Sequence, residues 1–229
     1  MSTYPIAEHF GSIQGEGQWT GTPMFFIRLA GCNVGKWTNP VTMQLEALRI
    51  LNPKHSICTT SDGQDFLCDT DYSKSESLTV EQLLELVGTY EHVCITGGEP
   101  FLHNLGALIE ALEKANKFIH IETSGTMPIE WEQLSADVWI TCCPKEGFLL
   151  ELLEDSRVAE WKFLVGPGFN EEALRRFQHA DKLGRAIFIQ PVGEIDKHLR
   201  ENLDRCLELL KRNPSWRLSA QLHKWLEVR

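Results

Sequence analysis

The chain is predicted to be an α/β protein with parallel strands, arranged either as a barrel or as a doubly wound sheet. Three observations predict this. Short β-prone apolar runs recur along the 229 residues, and helix-period segments separate them. The residues suited to chemistry cluster just after the runs, where catalysis gathers in barrel-type α/β folds. Strand–helix–strand alternation requires crossover connections, which leave the strands parallel.

The predicted strands are Phe25–Leu29, His92–Thr96, Phe118–Glu122, Val138–Thr141, Trp161–Val165, Ala186–Gln190 and Trp216–Gln221. Helical segments lie between them. "TVEQLLELVGTY" opens with a capping box of Thr79 and Gln82. "LHNLGALIEALEKAN" has the same period, and so does "NEEALRRFQHAD", with Asn170 as its cap. Repeats, low-complexity tracts and linkers are absent, so one domain spanning 1–229 is expected. That length can bury roughly 70% of the unfolded surface.

Lys and Arg number 22 against 32 Asp and Glu, a net charge of −10, which argues against a nucleic-acid partner. The first twenty residues lack an export signal and no stretch is long enough for a membrane span, so a cytoplasmic location is expected. Seven cysteines in such a chain point to buried, catalytic or metal-bound thiols rather than disulfides.

Three cysteines stand out: Cys32 after the strand "FFIRLAG", then Cys58 and Cys68. Twenty-five residues separate the first two and nine the second pair, whereas compact cluster motifs leave two or three. "ICTTSDGQDFLC" reads as a hairpin about a two-residue Asp62-Gly63 turn, pairing Ser61 with Gln64 and Cys58 with Leu67. That would bring Cys58 and Cys68 together. The upstream "TNPVTMQLEALRIL" reads as a short helix capped at Asn39, with Pro40 in its first turn. Three thiolates would hold a four-iron cluster with one iron left open, zinc being the other metal reading. Cys94, Cys142, Cys143 and Cys206 lack this context and read as core or incidental.

Other residues ask for ligands. Arg28 is a charge in an apolar strand, and a buried arginine needs an anion. "SIQGEG" sets Gln14 and Glu16 among glycines, which allow close backbone approach. "TGGEP" ends a strand on Gly97 and Gly98, with Glu99 as an acceptor and Pro100 at a helix start.

These motifs, from "EHFGSIQGEGQWTGTPMFFIRLAGCN" through "CDTDY", "ITGGEP", "IETSGT" and "CPK" to "WRLSAQLHKWLEVR", occur in an order that resembles the 7-carboxy-7-deazaguanine synthase family of radical S-adenosylmethionine enzymes. The resemblance implies an incomplete, partial TIM-like barrel of the radical S-adenosylmethionine type, with an insertion at about 36–57 inside the cluster motif. The cysteine spacing departs from the compact motif of many members, although expanded spacings also occur. The implied reaction is ring contraction of 6-carboxy-5,6,7,8-tetrahydropterin to 7-carboxy-7-deazaguanine with loss of ammonia. The implied cofactors are a 4Fe-4S cluster on Cys32, Cys58 and Cys68, S-adenosylmethionine, and Mg2+ at Thr70.

Substrate contacts carried over by the resemblance are Ile13, Gln14, Gly15, Glu16, Arg28, Thr96, His223 and the carboxylate of Arg229. Cofactor contacts are Leu67, Asp69, Gly98, Glu99 and Glu122, with Cys143, Pro144 and Lys145 at one strand end and Gln190, Pro191, Val192 and Gly193 at another. Cys143 stands where relatives commonly have serine. An electron donor such as flavodoxin or ferredoxin and a homodimer are also implied, with no nucleic acid or membrane. Apolar Leu222, Trp225, Leu226 and Val228 are expected to dock the closing segment across the open end. Rival readings are an activating enzyme for a glycyl-radical protein, which shares the "GEG…FIRLAGC" start, and a non-catalytic metal-stabilised module.

Overall fold

Period-2 runs become strands here because one face of each packs on helices while the other faces a polar interior. The computed structural model describes residues 2–34, 55–71, 75–135, 137–193 and 197–228. Its strands are β1 (Thr3–Ile13), β2 (Pro23–Leu29), β3 (His55–Thr59), β4 (Asp65–Asp71), β5 (Glu76–Thr79), β6 (His92–Gly97), β7 (Phe118–Thr123), β8 (Trp139–Cys142), β9 (Val158–Val165), β10 (Ala186–Pro191) and β11 (Arg217–Leu218). Nine of them form one sheet in the order β11-β10-β9-β8-β7-β6-β2-β1-β5, and β3 and β4 form a separate hairpin. Pairing is parallel from β2 through β6 to β11, while β1 runs antiparallel to β2 and β5. The result is a mixed α/β fold around a large central sheet.

The crossover helices are α1 (Val80–Val87), α2 (Gly106–Lys114), α3 (Glu171–Lys182) and α4 (Lys197–Arg212). The predicted capping box is present: Gln82 N donates to Thr79 Oγ1 at 3.3 Å, and Thr79 N donates to Gln82 Oε1 at 2.8 Å. Asn170 Oδ1 accepts from Glu172 N and Ala173 N, each at 3.0 Å, as its cap position predicts. Beneath the helices, Ile27, Ile95, Ile121, Ile140, Trp161 and Ile189 form the buried face of successive strands. Their neighbours Arg28, Thr96, Glu122, Lys162 and Gln190 therefore point to the other face.

The sequence reading needs three corrections. The predicted strand Trp216–Gln221 shrinks to Arg217–Leu218, because only those residues pair, with Phe188 and Ile189. Strands β1 and β5 were not anticipated. β1 mixes polar and apolar residues at half-buried positions, so its alternation is weak. The third correction concerns the hairpin. Gly63 N donates to Thr60 O at 3.0 Å and Thr60 N to Gln64 O at 2.8 Å, with Gly63 at φ +86°. The turn therefore holds three residues, Ser61 to Gly63, with glycine in the left-handed position.

That extra residue moves the register, so Cys58 faces Phe66 and Ile57 faces Leu67. A one-residue slip changes which face each side chain occupies. The predicted Cys58–Leu67 pairing would have put Cys58 and Cys68 on opposite faces, whereas the observed register puts them on the same one. The expected helix at Asn39 and Pro40 lies outside the described residues.

Candidate active site

The polar face of the sheet and the β3–β4 hairpin enclose a cavity of about 960 Å³ at the carboxyl ends of the parallel strands. Its wall includes Ile13, Gln14, Gly15, Glu16, Arg28, Thr96 and His223. Leu67, Asp69, Gly98, Glu122, Cys143, Lys145 and the Gln190–Gly193 turn also line it, as do Cys32, Cys58, Cys68 and Thr70. Pro144 and Glu99 do not. Glu99 is fully buried and caps the short helix Pro100–Leu102. Its oxygens accept from Thr123 Oγ1 at 2.8 Å, Phe101 N at 3.2 Å, and Ser124 N at 2.8 Å. Arg229 lies outside the described residues.

A buried charge network forms the floor. Lys162 Nζ donates to Glu16 Oε2 and stands 3.8 Å from Glu122 Oε1. Gln221 Nε2 and Gln190 Nε2 donate to Glu16 Oε1 at 2.7 and 3.3 Å, and Gln14 Nε2 donates to Glu122 Oε1 at 3.0 Å. Burial alone would raise the Glu16 carboxyl, but the Lys162 ammonium and the Gln221 amide outweigh it and hold it at about 2. Burial likewise opposes the Lys162 charge, yet Glu122 and Glu16 push its pKa well above the ordinary lysine value.

Glu160, on the same strand face as Lys162 and only 2% exposed, is raised to about 7 by burial, with Gln18 N donating to it at 3.0 Å. The sequence reading missed both Glu160 and Lys162. Their signal was present in "AEWKFLV": two charges of equal parity inside an apolar strand must share its non-core face.

The cysteines converge. The Cys58 thiol donates to Cys68, which raises Cys58 and, against burial, lowers Cys68 to about 6. Cys32 is near enough for its charge to act on Cys58. Val34 N donates to Cys32 Sγ at 3.5 Å. Among the described residues, no group of three His, Cys, Asp or Glu has the arrangement to hold a single metal ion. Lys145 Nζ donates to Cys143 O and Sγ, each at 2.9 Å. Cys94, Cys142 and Cys206 are fully buried, as core residues.

Arg28 Nη1 donates to Glu8 Oε2 at 3.0 Å and to Asp69 O at 3.1 Å, so it already has an anion inside the protein. Thr70 Oγ1 donates to Gly97 O at 3.1 Å and also lies in hydrogen-bonding reach of Cys68, whose pKa it helps to lower. At Gly15 a Cβ would collide with the His223 imidazole, so glycine is what lets the closing segment approach. Leu222 N donates to Gly15 O at 3.0 Å and Lys224 Nζ to Asp69 Oδ1 at 3.2 Å. The segment is thus held by polar contacts, and the expected apolar docking is not observed: Trp225 is 61% exposed and Leu226 54%.

No protein-family model matches the chain. Among curated proteins, the 7-carboxy-7-deazaguanine synthase of Escherichia coli (strain K12) is 36% identical over 240 residues, covering 98% of this chain and 99% of that protein. The synthase of Bacteroides thetaiotaomicron is 32% identical over 227 residues, covering 98% of each. The crystal structure of QueE from Escherichia coli matches with a TM-score of 0.63 and 31% identity, over 96% of this chain and 95% of that one. Similarity of this degree along nearly the whole length shows that the chain belongs to the 7-carboxy-7-deazaguanine synthase family.

Proposed function

We propose that the chain converts 6-carboxy-5,6,7,8-tetrahydropterin to 7-carboxy-7-deazaguanine with release of ammonia, as a radical S-adenosylmethionine carbon–nitrogen lyase of queuosine and 7-deazapurine biosynthesis. The observation that carries this reading is the Cys58–Cys68 pair, hydrogen-bonded on one hairpin face and lining the same cavity as Cys32. This donor set fits a 4Fe-4S cluster. Three thiols would leave one iron open. When bound, the reduced cluster and S-adenosylmethionine supply one-electron chemistry for hydrogen abstraction.

The chain's residues bind and orient. In this reading Glu16, held ionised by Lys162, accepts from the amino-pyrimidine edge of the substrate, with Ile13, Gln14, Gly15, Thr96 and His223 around it. Arg28 offers its remaining guanidinium donors to the substrate carboxylate. Arg229 is carried by resemblance alone. Thr70 Oγ1 would supply an oxygen ligand to Mg2+, a hard ion suited to such ligands. Leu67, Asp69, Gly98, Glu122, Cys143, Lys145 and the Gln190–Gly193 turn hold S-adenosylmethionine, while Glu99 and Pro144 shape the adjoining backbone. Lys162 keeps a proton at Nζ, and Glu160 stores another near neutral pH.

The same reading includes one domain with an insertion at about 36–57, a partial barrel, a homodimer, a flavodoxin- or ferredoxin-type electron donor and a cytoplasmic location. Supporting it, no helix of the described residues is long and apolar enough to cross a membrane, and the net charge is −10. The test is anaerobic reconstitution with iron and sulfide, followed by assay on the tetrahydropterin with S-adenosylmethionine. Absence of 7-carboxy-7-deazaguanine from cluster-loaded enzyme would refute the reading.

A further inference from the structure

The turn that follows Glu16 is capped by other side chains rather than by Glu16 itself. Glu16 is the extended residue that opens the short turn Gly17–Trp19, and its side chain makes no capping bond. Side-chain oxygens at that position ordinarily bend back onto the turn's own free amides. Here three successive amides are taken by three other residues. Glu16 N donates to Gln14 Oε1 at 3.1 Å, Gly17 N to Ser219 Oγ at 3.2 Å, and Gln18 N to Glu160 Oε2 at 3.0 Å. Gly17, at φ +67°, brings the backbone directly onto the Glu160 carboxyl.

Glu160 and Ser219 are fixed to the sheet and each is 2% exposed. Glu160 belongs to β9, and Ser219 is tied to β10 by its own amide, which donates to Ile189 O at 2.9 Å. Ser219 also reaches the Glu16 carboxylate by a second route. Its hydroxyl donates to Gln190 Oε1 at 2.9 Å, and Gln190 Nε2 donates to Glu16 Oε1 at 3.3 Å. A hydroxyl both accepts and donates, so Ser219 closes a ring from the Gly17 amide through the Gln190 carboxamide to the Glu16 side chain. Reversing that carboxamide would set its oxygen against a carboxylate, so the ring also fixes the direction in which Gln190 donates.

We propose that Glu160 and Ser219 are positioning residues, which cap this turn in place of Glu16 and so hold the Glu16 carboxylate in the cavity, facing the amino-pyrimidine edge of a guanine-like ring. The inference rests on the substrate reading above. Without these two residues, the Gly17 and Gln18 amides lose their acceptors, and the neighbouring Glu16 carboxylate is the group placed to replace them. A carboxylate that turns back in this way leaves the amino group of the ligand without its partner, which is costly inside a closed site.

The test compares two dissociation constants, measured by anaerobic calorimetry on cluster-loaded enzyme with S-adenosylmethionine. One ligand is 7-carboxy-7-deazaguanine, and the other is 7-carboxy-7-deazahypoxanthine, which lacks the 2-amino group. Wild type should prefer the first. Ser219→Ala and Glu160→Leu should each bind it about tenfold more weakly, the effect of one charge-assisted hydrogen bond, and bind the second nearly as wild type does. Glu160→Gln keeps an acceptor for Gln18 N and should retain most of the preference. In metal-free protein, hydrogen exchange should quicken at Gly17 in Ser219→Ala and at Gln18 in Glu160→Leu, but not at Gln18 in Glu160→Gln. If Glu160→Leu does not fold, Ser219→Ala decides alone. Equal weakening of both ligands in Ser219→Ala, or an undiminished preference, overturns the proposal. If wild type binds neither compound, the substrate reading fails, and exchange alone judges the cap: unchanged rates at Gly17 and Gln18 refute it.

Discussion

Lys162 is the residue on which the cavity floor depends, because its side chain is 5% exposed and faces two carboxylates. Removing one partner of a buried ion pair typically costs about 3–5 kcal/mol, since the remaining charge is left uncompensated. Lys162→Met should therefore destabilise the metal-free protein by several kcal/mol in urea unfolding, and Lys162→Met with Glu16→Gln should recover part of that loss. Equal stability of wild type and Lys162→Met would show that the pair contributes nothing. Thr70 invites a different experiment. Thr70→Val keeps the shape but removes the hydroxyl, so turnover and its Mg2+ dependence should fall further than iron content, which loses only the Thr70 bond to Cys68. Turnover indifferent to both changes would remove the metal from the mechanism. The cavity-lining polar residues are legible because each interrupts an apolar or glycine-rich stretch. Lys162 has the same signature but no recognised motif around it, and so it was passed over.

At the scale of elements, the hairpin shows what spacing alone conveys. Asp62-Gly63 correctly announced a turn, but two- and three-residue loops share that dipeptide. Only the hydrogen bonds of Thr60 decide between them. The choice matters, because it determines whether Cys58 and Cys68 share a face. Gly63 has open space around its would-be Cβ, so a substitution there tests backbone strain alone. Gly63→Val forces a β-branched residue to φ +86°, at a cost of about 1–3 kcal/mol. The hairpin should then fray, and alkylation of Cys58 in metal-free protein should accelerate about tenfold. An unchanged alkylation rate would mean that the turn does not hold the pair. The helices were more legible, since their caps are local: Thr79→Ala should cost about 1 kcal/mol in thermal unfolding.

For the molecule as a whole, the parallel half of the sheet could be read from strand–helix alternation, whereas its antiparallel edge could not. β1 and β5 are joined to the rest by pairing between distant residues such as Tyr4 and Leu78, which no local pattern encodes. The interior that this sheet encloses also sets a global property, the dependence of stability on pH. Glu160 has a folded pKa of about 7 against an ordinary 4.5. Between those values the folded chain keeps a proton that the unfolded chain has released, so stability falls as pH rises through the window and levels off above it. At ~1.36 kcal/mol per pH unit, the loss is at most about 3 kcal/mol. Glu16 acts in the opposite sense and on the acid side: its folded pKa is about 2, so the stability it contributes disappears as pH falls from 4.5 toward 2. Urea unfolding of metal-free wild type and Glu160→Gln at pH 5 and pH 8 separates the two effects. Cys68, His120 and His223 titrate in both proteins, so the difference between their profiles belongs to Glu160. Relative to wild type, Glu160→Gln should gain up to about 3 kcal/mol on going from pH 5 to pH 8. Parallel profiles would mean that Glu160 is ionised in the folded protein and cannot store a proton beneath Lys162.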